Sequence, residues 1–203
     1  MTDLQAQFGQ IDIYLFDQLL RGRVPPGARI CDAGCGSGRN LVYLLRAGYA
    51  VRAVDADPSA VAAVRSLAHT LAPQLPPDNF RVEPVEQTSF EDRSADVVIS
   101  SAVLHFARDA AHFEAMLQEC WRILDRDGVF FCRLASSIGI ETRIRAVGSG
   151  RFVLPDGSER YLVTEAGLMD ATARLGGELI DPLKTTVVQN QRSMTTWVLR
   201  KPR

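Results

Sequence analysis

The chain has almost no charge imbalance. Its 24 acidic and 23 basic side chains leave a formal charge of −1 over 203 residues. No broad field draws it to nucleic acid or an anionic membrane, and neither is expected as a partner. Histidines number three and cysteines four. Cys31, Cys35, Cys120 and Cys132 form no Cys-x-x-Cys pair and stand beside no cluster of histidines. That pattern speaks against a metal site and a disulfide framework, and for buried thiols in a reducing compartment. Long apolar runs are also missing, since nothing approaches the ~18 uninterrupted apolar residues of a membrane helix. The opening "MTDLQAQFGQ" has neither the basic nor the apolar segment of a secretory signal, so a cytoplasmic location is expected. With no internal repeat and no low-complexity segment, the length suits a single domain over residues 1–203.

What is present is an alternation. The β-like runs "ARICDA", "AVRAVDA", "FRVEPV", "ADVVISSA" and "VFFCRLA" are separated by the helical runs "NLVYLLRAG", "PSAVAAVRSLAHTLA" and "HFEAMLQECWRILDRDG", the pattern of βα units and a parallel sheet. Pro58 suits the first turn of its helix, and Gly128 is expected to end the helix closing at Asp127. Upstream, Leu4, Phe8, Ile11, Leu15 and Leu19 recur at helical spacing, predicting one amphipathic helix within residues 1–24 that stops at Gly22 and Pro25-Pro26. Such a helix, separated from the repeat by "GRVPPG", can close as a lid, with Tyr14 and Phe16 facing what it covers. Downstream, residues 136–163 read as an insertion whose "RFVLPDGSERYLV" makes a hairpin around Asp156-Gly157. Thr164 can cap a helix through Leu175. "ELIDPLKTTVVQ" and "MTTWVLRK" then predict two further strands, adjacent and antiparallel, at the sheet's edge.

The first β-like run ends in three glycines within five positions, Gly34, Gly36 and Gly38. A turn stripped of side chains lets backbone amides approach a ligand at the carboxyl end of a strand. Asp55 closes the next strand, 23 residues after Asp32, where a carboxylate can accept hydrogen bonds from both hydroxyls of a ribose. Together they point to a nucleoside. A dinucleotide fingerprint would need glycine at Arg39, and no Gly-Lys-Ser/Thr follows the turn, so a bound pyrophosphate is disfavoured.

"DAGCGSG" followed by "VDADP", with "SADVVISSAVLHF" and "ILDRDGVFF", resembles the class I S-adenosylmethionine-dependent methyltransferases over Ala28–Ala135. The resemblance implies a Rossmann-like α/β fold: a seven-stranded, mostly parallel sheet with an antiparallel edge strand and helices on both faces. It implies S-adenosyl-L-methionine as cofactor, S-adenosyl-L-homocysteine as its product, and no metal. Asp32 would then orient the methionine ammonium. Gly34, Cys35, Gly36 and Gly38 would form the floor, Asp55 would hold the ribose, and Ala56 and Val85 would lie along the adenine. Pro84 stands where an acidic residue is common, leaving Glu83 or Glu86 as substitutes. Ser100 would face the methionine moiety. The "GCGSGRN" turn, the short length and "TTWVLRK" look most like the tellurite-resistance methyltransferases.

A small-molecule acceptor is expected, methylated by direct in-line displacement. His105 is the candidate general base or acceptor-orienting group, and Tyr14, Arg133 and Arg192 are the candidate acceptor contacts. His69 and His112 receive no role, and Arg143, Arg145, Arg151 and Arg160 are read as the solvated face of the insertion. The competing readings are an RNA or protein methyltransferase and a catalytically silent cofactor-binding partner subunit. The first lacks a basic stretch with interleaved aromatics, and "SSAV" stands where an amino-methylating motif would follow the fourth strand.

Overall fold

The computed structural model describes residues 3–203; the first two residues of the expected N-terminal helix region lie outside it. Chain order gives α1 (Leu4–Phe8), α2 (Ile13–Leu20), β1 (Arg29–Ala33), α3 (Val42–Arg46), β2 (Ala50–Asp55), α4 (Pro58–Leu71), β3 (Phe80–Val82), β4 (Ala95–Ser101), α5 (Ala110–Ile123) and β5 (Leu124–Ala135). There follow β6 (Arg145–Gly148), β7 (Arg151–Val153), β8 (Glu159–Tyr161), α6 (Glu165–Leu175), β9 (Glu178–Leu179), β10 (Lys184–Val188) and β11 (Arg192–Arg200). The main sheet runs β10-β11-β5-β4-β1-β2-β3, with β9 pairing the far end of β11. From β3 to β5 every pairing is parallel, and β9, β10 and β11 pair antiparallel. The fold is therefore Rossmann-like, with an antiparallel edge.

Strand residues alternate between two apolar cores, as a sheet covered on both faces requires. Cys31 and Ala33 of β1 and Phe130, Cys132 and Leu134 of β5 pack with Phe113 and Leu117 of α5 and Leu168 of α6. Ile30, Val129 and Phe131 point the other way, against Leu15 of α2, Leu44 and Leu45 of α3 and Val61 and Val64 of α4. Pro58 opens α4 and Thr164 caps α6 through the Gly167 N–H. Residues 145–161 form a separate three-stranded antiparallel sheet, β6-β7-β8.

Four expectations need correction. The N-terminal stripe is two helices, not one. Gly9 turns the chain at φ 62°, and a Cβ there would meet the Val42 side chain at 2.7 Å. Asp12 restarts the helix by accepting the Tyr14 N–H at 3.0 Å. The helical run "NLVYLLRAG" after the glycine turn forms its helix only from Val42, two residues past its start at Asn40. Helix α5 ends at Ile123, before Asp127-Gly128, and Gly128 lies inside β5, where a Cβ would meet the Asp96 carbonyl oxygen at 2.9 Å. Finally, "ELIDPLKTTVVQ" is two strands, because Pro182, which has no N–H to donate, falls between β9 and β10. Among the described residues no helix is long and apolar enough to cross a membrane.

Candidate functional site

The parallel strands β1, β2 and β4 end beside one cavity of about 670 Å³. Its lining brings together Gly34, Cys35 and Gly36 from the first turn, Asp55 and Ala56 from the second, Val85 and Glu86 after β3, and Ser101 to Val103 after β4. The parallel register of β1 and β2, Asp32 beside Ala53, brings the turns that follow the two strands to the same end of the sheet. The Gly36 N–H donates to Asp55 Oδ2 at 2.8 Å and the Asp57 N–H donates to Oδ1 at 2.9 Å. The carboxylate is thus fixed by two backbone donors and keeps a further lone pair on each oxygen.

The glycines have different jobs. Gly34 has φ +83°, and a Cβ on it would lie 2.5 Å from Val103, so its absence lets the β4 loop close against the turn. Gly36 has φ +51° and nothing within 4 Å of where its Cβ would sit. Only here does the missing side chain open space in the cavity. Gly38 lies off the cavity, where a Cβ would press on Val64 and Leu67 of α4 at 3.1 Å.

Asp32 is 1% exposed, and neither carboxylate oxygen has a hydrogen-bond partner. Burial lifts its pKa to about 7, with the Arg39 charge opposing and the Asp55 charge adding. A carboxylate so placed lacks a counter-cation. Ser100, also expected here, is wholly buried with an unpartnered hydroxyl and does not line the cavity; its neighbour Ser101 does. Cys35 lines the floor as a thiol, its pKa pushed up by burial. Glu83 holds Ser89 instead of facing the cavity. Glu86 does face it, with Oε1 3.0 Å from His112 Nε2. Burial works against the Glu86 charge, but its own backbone amide and His112 outweigh it and hold the carboxyl below its ordinary range. His112, given no role from the sequence, lines the cavity because α5 starts directly behind the β4 loop.

A second cavity of about 530 Å³ adjoins the first, and Ala102 lines both. His105, Arg133 and Arg192 belong to this one, together with Arg160, whose reading as a solvated face fails for this residue. His105 Nδ1 accepts the Ala135 N–H at 3.1 Å. Burial, reinforced by the Arg160 and Arg133 charges, pushes its pKa down to about 4. The ring is neutral at pH 7 with its proton on Nε2, a donor that suits the acceptor-orienting alternative better than the general base. Tyr14 lines neither cavity: its hydroxyl pairs with Thr186 at 2.6 Å and its ring lies under Arg133.

Between the two cavities sits Asp12, which the sequence reading missed because a cap residue on an N-terminal helix carries no motif. It is buried, and its Oδ2 lies 3.1 Å from Arg133 Nη1, 3.3 Å from Ser101 Oγ and 3.6 Å from Arg39 Nη2. Its own N–H donates to Asn40 at 2.9 Å.

Comparison with known proteins adds four findings. Residues 31–132 match a family model described as a methyltransferase domain. The chain is 30% identical over 139 residues to a ubiquinone biosynthesis O-methyltransferase of Xanthomonas campestris, covering 67% of this chain but only 56% of that protein. Among solved structures, a S-adenosylmethionine-dependent methyltransferase of Methanosarcina mazei superposes with a TM-score of 0.72 at 21% identity, covering 91% of this chain and 97% of that one. The 1,6-didemethyltoxoflavin-N1-methyltransferase of Burkholderia thailandensis, solved with its substrate and S-adenosylhomocysteine, does so with a TM-score of 0.71 at 19% identity, covering 99% and 82%.

Proposed function

The chain belongs to the S-adenosylmethionine-dependent methyltransferase family, and from that premise we propose that it transfers a methyl group to a small-molecule acceptor, binding the cofactor in the first cavity. The observation that carries this is the Gly36–Asp55 pairing: an open floor beside a carboxylate held by that floor's own amide. The residues fit the group. Asp32, two residues before Gly34 and buried beneath the lining rather than part of it, is a carboxylate in want of a cation, which the methionine ammonium would supply, and Asp55 has acceptors left for two ribose hydroxyls. When bound, S-adenosylmethionine supplies a sulfonium-activated methyl group and is left as S-adenosylhomocysteine.

The chain's part is to orient and to exclude water. Gly34, Cys35, Gly36 and Ala56 give a backbone surface for the nucleoside and methionine portions. Val85 and Glu86 border the adenine end, Glu86 filling the place of the acidic residue displaced by Pro84. Asp12 holds Arg39, Ser101 and Arg133 in one cluster and so fixes the border between the cavities. His105 donates from Nε2 and orients the acceptor without removing its proton. The small-molecule assignment draws support from the named substrates of the relatives and from half-open cavities of a few hundred Å³, a size suited to compact ligands. The narrower likeness to tellurite-resistance enzymes rests on the "GRN" turn and "TTWVLRK", and a cytoplasmic location on the composition.

Calorimetry tests the reading. S-adenosylhomocysteine binds one to one in preference to NAD, and Asp55→Ala weakens it about 10- to 150-fold, the loss of about 1.5–3 kcal/mol in charge-assisted hydrogen bonds. Unchanged affinity in the variant removes Asp55 from the site, and binding of NAD alone overturns the function.

A further inference from the structure

We infer that the second cavity is the acceptor site and that it takes an organic acid, a small apolar body bearing one carboxylate, with the carboxylate held by Arg160 and Arg192. The inference rests on placing the cofactor in the first cavity. The two spaces meet at a common border, the loop after β4. Ala102 lines both, Val103 and Phe106 line the first, and His105 lines the second. Ala102 adopts φ 66° and its N–H donates to the Arg133 carbonyl at 2.7 Å, which pins the loop to β5. A molecule in the second cavity is therefore next to one in the first.

The charge of the lining sets the ligand class. Three guanidinium groups, Arg133, Arg160 and Arg192, face one carboxylate, Asp156. Arg192 is 3.3 Å from Asp156, while Arg133 is answered by Asp12. Arg160 has no carboxylate within ion-pair distance among the described residues. It donates to the Glu159 carbonyl at 2.7 Å and lies 4.9 Å over the Phe106 ring. Arg133 Nε is buried and has no acceptor. One anion satisfies this surplus, and a guanidinium fork matches a carboxylate better than a neutral amide. Of the remaining lining, Ala135, Leu154, Val188 and Met194 are apolar while Ser158 and Ser193 are polar; the apolar part asks for a hydrocarbon body that an inorganic oxyanion lacks. His105 Nε2–H is a donor for a second oxygen on that body.

The test is calorimetric titration of the full chain, with and without saturating S-adenosylhomocysteine, using benzoate, benzamide and sulfate as probes. Benzoate binds saturably in both conditions, and benzamide and sulfate bind at least about 10-fold more weakly, as loss of the charge or of the apolar body dictates. Arg160→Ala weakens benzoate about 10- to 100-fold and leaves benzamide and S-adenosylhomocysteine within about twofold. Failure of benzoate to saturate, equal binding of benzamide, or an Arg160→Ala variant indistinguishable from wild type overturns the inference. Sulfate binding as tightly as benzoate overturns the organic body. If S-adenosylhomocysteine itself fails to bind, the cofactor reading falls, and the titrations without it still decide whether this cavity selects carboxylates.

Discussion

Asp32 is the residue at which folding and binding oppose each other. Its pKa rises from 3.8 to about 7 in the folded chain, so the stability associated with its neutral form is complete below about pH 4 and is lost as pH rises through 7. A cationic ligand needs the ionised form. Affinity for S-adenosylhomocysteine should therefore climb as pH passes 7 and level off above it. Asp32→Asn should flatten that profile, weaken binding, and raise the unfolding temperature of the ligand-free chain more at pH 8 than at pH 5. A pH-independent affinity in wild type contradicts this. The glycines separate in the same way. Gly34→Ala forces a methyl onto Val103, at a cost of about 1–3 kcal/mol for overpacking, and Val103→Ala should recover part of the lost stability. Gly36→Ala costs only the left-handed backbone strain, about 1–2 kcal/mol, but intrudes on the ligand. The thermal shift produced by S-adenosylhomocysteine should shrink in Gly36→Ala; a full shift makes that glycine structural. The pairing of the Gly36 turn with Asp55 was legible because strand register converts sequence distance into contact. The different duties of Gly34 and Gly38 were not, since they depend on side chains from the β4 loop and from α4.

At the scale of elements, α2 decides how the site is walled. Leu15 and Gln18 are buried against the body, and the loop after α2 sends Arg23 to Asp181, 2.8 Å away, and to the Ile180 carbonyl at 2.8 Å. Asp181 also takes Gln18 at 3.1 Å and Lys184 at 3.2 Å. Burial works against its charge, but Arg23, Gln18 and Lys184 together depress its pKa to about 2. Its contribution is thus present above about pH 4 and is lost as pH falls through 2. Between those limits α2 and β10 should loosen in wild type, seen as faster proteolysis near residues 13–23, and Asp181→Asn should already show that loosening at pH 7. Equal protease resistance of the two proteins at pH 7 contradicts the tie. A lid role for α2 predicts slower hydrogen exchange at Tyr14–Leu20 when S-adenosylhomocysteine is added; unchanged exchange makes it a fixed wall. The periodicity that announced a helix here could not reveal its break, because Gly9 bends the chain to approach Val42, 33 residues away in sequence.

For the whole molecule, the order of strands follows from alternating βα units, and with it the position of the first cavity at the carboxyl ends of β1, β2 and β4. Composition and motif made that much readable. The second cavity was readable in part: Arg133 and Arg192 of β5 and β11 stood out as candidate acceptor contacts, but Arg160 of β8 did not, because no local pattern marks a side chain brought in from a strand far off in sequence. The chain spans 56% of the length of its Xanthomonas relative, so that relative's acceptor chemistry need not be this chain's, and the lining of the second cavity is the better guide. The most direct measurement is a crystal structure of the chain with S-adenosylhomocysteine. It should show the ligand in the cavity floored by Gly36, both ribose hydroxyls within hydrogen-bond distance of Asp55, and the amino group turned toward Asp32. A ligand seated elsewhere, such as the groove between Arg65 and Phe80, with Asp55 bonded only to the Gly36 and Asp57 amides, contradicts the account.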